Sequence, residues 1–299
     1  MSRLGSALRR IPPTRAAIES DRAQHVARTL RCARAVRRPW RFTALELLGP
    51  AGRTTAHRIA GSDLTVLVRH RTRDMDIFRE IFGTGHAPNV YDPPAPVAAV
   101  LDQAPAPKVL DLGGNVGLFG VYVLGRWPHA KVESFEPDPV NHQMLARTIE
   151  RNGLGERWRA HERAIANRDG RLSFVSGLFA ESQLSEVADP AAKGAGAAAL
   201  TEGREITVEA ADLFERDLEV ELLKIDVEGA EWPILTDPRL PALAAATVLV
   251  LEWHASGCPD PDPRSAAIAA LRAAGFEQIE EGGVLSHSGM VWAWHATHG

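Results

Sequence analysis

Two groups of ionisable residues, each at the end of an apolar run, are where this 299-residue sequence could do chemistry. The first is Asp111-Leu112-Gly113-Gly114-Asn115-Val116-Gly117, with Glu136 following at the end of the next apolar run. Glycines between a strand and a helix let the backbone come close to a ligand. A dinucleotide site would read G-x-G-x-x-G, with a pyrophosphate seated on the helix amides. Here a carboxylate precedes the first glycine, which suits a cationic group better than a pyrophosphate. Glu136 is placed to accept hydrogen bonds from a ribose diol. An acid for an amino group and an acid for a ribose describe S-adenosylmethionine better than NAD. Gly113, Gly114, Asn115, Gly117, Glu136 and Pro137 are therefore expected along the cofactor, with Ala164 and Ile165 at the next strand end. A turn that serves only tight packing is the alternative.

The second group is Leu222-Leu223-Lys224-Ile225-Asp226-Val227-Glu228-Gly229-Ala230-Glu231. Lys224, Asp226 and Glu228 alternate, so an extended chain would put all three on one face. An acidic helix start explains Glu231 through the helix dipole, but it does not explain Asp226. A third apolar run ends in Glu252-Trp253-His254. There His254 is the best candidate for a general base, with Glu252 on the same side to orient its imidazole. Asp226 would contact the cofactor or act as base, and Lys224 would hold it or stabilise an acceptor oxygen. Asp226, Glu228, Glu252 and His254 could also ligate a divalent metal, which is admissible but not favoured. His295 is the other histidine at a strand end. Trp127, Trp158, Trp232, Trp253, Trp292 and Trp294 read as core or rim aromatics, and Phe119 as packing beside the turn.

These residues need a layered frame. Strands are expected at Lys108–Asp111, Val132–Glu136, Trp158–Ala164, Arg171–Val175, Glu221–Asp226, Thr247–Trp253, Phe276–Ile279 and Met290–His295. Helices fit at Val116–Arg126, after an Asp138 cap with Pro139 in its first turn, at Glu231–Leu235 and at Arg264–Ala274. Alternation of this kind predicts an α/β fold with a mostly parallel sheet. Upstream, residues 14–48 read as patches of helix and Arg58–Arg69 as a strand or hairpin. Asp74–Phe82 reads as a helix capped by Thr72 or Asp74. The prolines of Ala87–Pro96 set the expected division: a basic helical extension and cap at 1–96, and the main domain at 97–299. The Gly/Ala/Ser-rich stretch 177–204 reads as a loop or lid.

Composition narrows the class. With 45% hydrophobic and 24% charged residues the chain can bury a large core, which excludes collagen-like, disulfide-scaffold and disordered classes. No apolar stretch has membrane-span length, and no signal-like run follows Arg3, Arg9 and Arg10. Cys32 and Cys258 give neither a zinc spacing nor a disulfide framework, so a soluble cytoplasmic protein is expected. Residues 1–41 hold eleven Arg against Glu19 and Asp21, a local +9 in a chain of net charge −4. No aromatic ladder accompanies these arginines, so a nucleic-acid partner is not favoured.

DLGGNVG with FEP, and LLKIDVEGAEWPIL, resemble the FkbM family of S-adenosylmethionine-dependent methyltransferases, over roughly residues 64–256. RHRTRDMDIFREIF is similar to that family's Thr-Ser-Asp segment, and Leu251-Glu252-Trp253-His254 extends the likeness. The sequence departs at Gly114, where the family usually has Ala, and at Arg73, where Ser is common. The resemblance implies a Rossmann-like class I methyltransferase fold, with a seven-stranded sheet, one antiparallel last strand and helices on both faces. It also implies O-methylation of a small-molecule, glycan or natural-product hydroxyl. A carboxyl methyltransferase acting on a peptide or small acid would need no base. A noncatalytic nucleotide-binding module stands against the intact Asp111, Glu136 and Lys224–Glu231.

Overall fold

The computed structural model describes residues 15–83, 89–176, 183–184, 204–284 and 287–296. Helices α1 (Arg15–Cys32) and α2 (Pro39–Leu48) lead into a hairpin of β1 (Thr54–Arg58) and β2 (Thr65–Arg69). Then come α3 (Asp74–Phe82), α4 (Ala95–Gln103), β3 (Lys108–Leu112), α5 (Leu118–Arg126), β4 (Lys131–Phe135), α6 (Pro139–Arg151) and β5 (Trp158–His161). A second sheet follows from β6 (Ala164–Ala166), β7 (Gly170–Ser176), β8 (Gln183–Leu184) and β9 (Arg204–Asp212). The chain closes with β10 (Leu222–Ile225), α7 (Trp232–Leu235), β11 (Val248–His254), α8 (Pro263–Ala274), β12 (Gln278–Val284) and β13 (Ser288–Trp294).

The seven-stranded sheet runs β12-β13-β11-β10-β3-β4-β5. Its strands are parallel except β13, which is antiparallel to both neighbours, so the expected α/β architecture is present. Both faces are covered, which explains why β11 opens on an unbroken apolar run and β10 is apolar apart from Lys224. Successive residues feed opposite cores. Leu222, Val248, Val250, Trp292 and Trp294 join Leu118, Val121 and Leu145 on one face. Leu223, Leu249, Leu251, Val291 and Ala293 join Ile234 and Leu271 on the other. All six tryptophans named from the sequence are buried.

Asp138 caps α6 by accepting from the amides of Val140 and Asn141, with Pro139 in the first turn. Asp74 does not cap α3. It is fully buried and takes a bidentate salt bridge from Arg69, whose guanidinium also donates to Asn141 on α6. Thr72 instead accepts from the Asp74 amide and donates to the Arg69 carbonyl. The expected division at residue 96 falls in the first turn of α4, and Val97 and Leu101 share one core with Phe42, Val66 and Phe78.

Two elements were not foreseen. α4 hides behind its prolines, although Pro94 at the cap and Pro96 in the first turn lack amides that no helix would use there. β9 falls outside the expected strands, although Ile206, Val208 and Ala210 alternate with polar residues and pack on Phe174. The expected strand Trp158–Ala164 breaks after His161, and its two halves enter different sheets. The 177–204 stretch lies outside the described residues apart from Gln183, Leu184 and Arg204, as does the arm before residue 15. No described helix is long and apolar enough to cross a membrane.

Candidate functional site

From β3 the chain builds outward through β4 and β5, then returns to build the other side from β10. Parallel sheets bind ligands in the crevice at such a reversal, beyond the carboxyl ends of the strands. Here the crevice collects the glycine turn after β3, Glu136 after β4, Asp226 to Glu231 after β10, and His254 at the end of β11.

The turn is pressed against the exit of β10. Gly113 has φ +83°, and a Cβ there would lie 1.8 Å from the Asp226 carbonyl oxygen. At Gly114 a methyl would meet Leu145 Cδ1 at 2.8 Å and Ser134 Cβ at 3.0 Å, which accounts for glycine where the family usually has alanine. The turn's amides are spent internally. Those of Gly113 and Gly114 donate to the Phe135 carbonyl, and that of Gly117 to the Gly114 carbonyl. The Asn115 amide donates to Glu136, and the Val116 amide to the Asn115 side chain. A turn with no amide left between 113 and 117 is a poor pyrophosphate cradle, which favours the S-adenosylmethionine reading over NAD.

Glu136 is 5% exposed and accepts one amide on each oxygen, from Asn115 and Asp138, both at 2.8 Å. The Asn141 side chain also hydrogen-bonds this carboxylate. Burial pushes its carboxyl up to about 7 against the pull of those amides. Pro137 is half-buried beside it. Ala164 and Ile165 are buried in β6, paired with β9.

Asp111 is not open to a ligand. It is fully buried, accepts from Ser134 Oγ at 2.8 Å and lies 3.2 Å from Lys224 Nζ. Lys224 and Asp111 are register partners on adjacent strands, so the ion pair is built into the sheet. Lys224 Nζ also lies 3.2 Å from Asp226 Oδ2 and donates to the Gly113 carbonyl at 3.0 Å. Burial works against the ammonium, but Asp226 and Asp111 overcome it and raise its pKa. Asp111 thus anchors a lysine where the sequence suggested a contact to the cofactor's amino group.

The strand ends at Ile225, so Glu228 does not reach the cleft by alternation. A left-handed turn, with φ +54° at Glu228 and +92° at Gly229, swings it round instead. His254 Nε2 lies 3.5 Å from Glu228 and 3.9 Å from Glu252, while Nδ1 lies 3.1 Å from Glu231. Glu231 is fully buried and also accepts the amides of His254 and Gly229. Glu231, not Glu252, therefore orients the imidazole. Burial opposes charge on His254, but Glu228, Glu231 and Glu252 hold its pKa well above 6.5. The neutral imidazole expected from the sequence is a cation here, unsuited to take a proton at neutral pH.

Burial, with Asp226 and Glu252 adding repulsion, pushes Glu228 up to about 8. Burial and Asp226 likewise push Glu252 up to about 7. Asp226 is held below the usual range, because Lys224 and His254 outweigh its burial. Two residues of this wall, Tyr91 and Glu80, have no place in the sequence reading. Tyr91 is buried, and its hydroxyl donates toward Asp226 Oδ2 at 2.9 Å and Glu252 Oε2 at 3.3 Å. Glu80 on α3 is pushed up to about 8 by burial and by Glu252. Glu231 was visible only as an acidic helix start. Nothing in a proline-rich segment marks Tyr91, whereas Glu80 could have been found on the polar face of the α3 pattern. His295 takes no part; it bonds the Ala244 carbonyl and stacks on Phe276.

The family model described as "Methyltransferase FkbM domain" matches residues 111–277, more than half of the chain. The chain belongs to the FkbM methyltransferase family. Family membership implies S-adenosyl-L-methionine as methyl donor, which the spent amides and the Glu136 carboxylate fit. Among its relatives, "Methyltransferase 1" of Beauveria bassiana is 28% identical over 151 residues, covering 45% of this chain and 60% of that protein. "Methyltransferase sdnD" of Sordaria araneosa is 28% identical, covering 60% of this chain and 75% of the relative. "2-O-methyltransferase NoeI" of Sinorhizobium fredii is 39% identical over 72 residues, 24% of this chain and 28% of the relative. The crystal structure of Methyltransferase FkbM from Methylobacillus flagellatus KT aligns with TM-score 0.44 and 12% identity, covering 92% of this chain and 60% of that one. This FkbM chain thus spans about 60% of the length of the Beauveria relative and of the solved Methylobacillus protein.

Proposed function

We propose that this FkbM methyltransferase methylates a hydroxyl oxygen of a small-molecule, glycan or natural-product acceptor. The reading rests on one arrangement: a cofactor edge running from Gly113 to Glu136 meets a wall of Tyr91, Asp226, Glu228, Glu252 and His254. When bound, S-adenosyl-L-methionine supplies an electrophilic methyl group on a sulfonium. Glu136 would hold its ribose, with Asn115 and Pro137 beside it and Ala164 and Ile165 behind, and Asp226 would border its reacting end.

A hydroxyl acceptor must lose a proton as its oxygen is methylated. Glu252 is the best-placed acceptor of that proton. Its side chain is 22% exposed, so it opens to the cleft while one oxygen is steadied by Tyr91. Its pKa of about 7 is matched to base catalysis near neutrality. His254, charged and clamped by Glu231, lines the wall, and Lys224 holds Asp226 in place. Asp226, held ionised in this wall, would repel an anionic acceptor, which favours the hydroxyl reading over carboxyl methylation. The name of the NoeI relative points the same way. Tyr91 and Glu80 both precede residue 97, so we assign the residues before it a role as cap over the acceptor side.

The test uses labelled cofactor with host extract as the source of acceptor. Glu252→Gln should lower turnover by about 10²–10⁴, the usual range for general-base catalysis, with cofactor affinity unchanged. Near-normal turnover in that variant would take the proton-acceptor role away from Glu252. Label recovered as a base-labile ester would replace the hydroxyl reading with the carboxyl one.

A further inference from the structure

We propose that Asp226, Glu228 and His254 form a binding site for a divalent cation of the Mg²⁺/Mn²⁺ class on the acceptor side of the cleft. One ligand atom from each of the three lies within 4.8 Å of the others. Two donors on opposite sides of one cation stand at twice the metal–ligand distance, about 4.0–5.2 Å from Mg²⁺ to Ca²⁺. The three donors therefore stand within one coordination sphere, or a small side-chain rotation from it.

The histidine is prepared as a ligand. Metal-binding imidazoles typically give their other nitrogen to a carboxylate, which sets the tautomer and the ring direction. Glu231 does this here: it is fully buried, lies 3.1 Å from Nδ1 and accepts the His254 backbone amide. Nε2 is left facing Glu228 at 3.5 Å, longer than a hydrogen bond. At Asp226 both Tyr91 and Lys224 use Oδ2, so Oδ1 is available. Glu228 reaches the same point through its left-handed turn.

Five acidic side chains, Asp111, Asp226, Glu228, Glu231 and Glu252, gather around Lys224 and His254. A divalent cation would bind His254 as the neutral imidazole and displace its proton. Two carboxylates with one imidazole, and no thiolate among them, suit Mg²⁺ or Mn²⁺ better than a sulfur-seeking metal. Such an ion would lower the pKa of an acceptor hydroxyl beside it and ease transfer of its proton to Glu252. That consequence rests on the methyl-transfer reading; the binding itself does not.

The experiment titrates Mn²⁺ into the full chain, without cofactor or acceptor, and follows the paramagnetic resonance signal of the free ion. One site per chain is expected, displaced by excess Mg²⁺. Asp226→Asn and Glu228→Gln should each weaken binding at least tenfold, and Glu231→Gln by about 10–100-fold through the imidazole it orients. Pulsed measurements should show ¹⁴N coupling from imidazole to Mn²⁺ that disappears in His254→Ala. The inference is overturned if folded wild-type protein leaves the signal unchanged at about 1 mM Mn²⁺, the weak end of protein cation sites. It is equally overturned if Asp226→Asn and Glu228→Gln bind like wild type, or if the coupling survives in His254→Ala. Calorimetry of S-adenosylmethionine on the same metal-free samples separates the two readings. Cofactor binding without Mn²⁺ binding removes only the cation site, and the converse removes only the methyl-transfer reading.

Discussion

Replacing Glu136 by Gln removes one charge and turns one acceptor oxygen into a donor at the tip of β4. The carboxylate now accepts the amides of Asn115 and Asp138, each at 2.8 Å, from a position 5% exposed. In the variant the NH₂ group faces one of those amides or a ribose hydroxyl. One charged hydrogen bond to the cofactor is lost, worth about 1.5–3 kcal/mol, so affinity should fall roughly 10- to 150-fold. Calorimetry at pH 8 measures this, with a thermal melt on the same sample to show that the fold persists. The wild type should also carry a pH signature. Its Glu136 carboxyl has been pushed up to about 7 by burial, and the ionised form is the one that would accept from a ribose hydroxyl. Affinity should therefore level off above about pH 8 and fall roughly fivefold between pH 7 and 6, a dependence the Gln variant lacks. An unchanged dissociation constant in folded Glu136→Gln, or an equal pH slope in both proteins, would refute the assignment of Glu136 to the ribose.

Gly113→Ala places a methyl 1.8 Å from the Asp226 carbonyl at φ +83°, so stability should drop by about 3 kcal/mol or more. Urea unfolding measures it, and a loss below about 1 kcal/mol would mean that the turn does not approach β10 so closely. His57 is 4% exposed and hydrogen-bonded to Thr55 and His70, and burial followed by repulsion from His70 lowers its pKa to about 3. Its folded pKa is depressed, so its contribution is full above the unfolded value near 6.5 and is lost as pH falls toward 3. At pH 5 the loss is about 2 kcal/mol, and His57→Gln should flatten the acid limb of the stability curve by that amount.

Local pattern carried most of the frame. Alternation between two apolar cores made β10, β11 and β13 readable, and the Asp138-Pro139 cap marked the start of α6. The glycine turn and Glu136 were legible because their spacing follows from one strand, one helix and one strand in succession. Family membership rests on the same contiguous runs. Periodicity failed at α4, where prolines occupy amide-free positions of a helix start, and at β9, whose partners β6 and β7 lie well before it in the chain.

The roles inside the site were decided by tertiary structure. Which carboxylate meets a given cation depends on register between strands far apart in the chain. Register is what pairs Asp111 with Lys224, and the fold around Glu231 is what clamps His254. The raised pKa of His254 follows from three acidic neighbours outweighing its burial, and no single segment contains that sum. Tyr91 reaches Asp226 across 135 residues of sequence. Sequence determines the elements because backbone preference and apolar periodicity are local. Contacts, burial and charge balance belong to the folded chain, because electrostatic energies depend on distances that only packing sets.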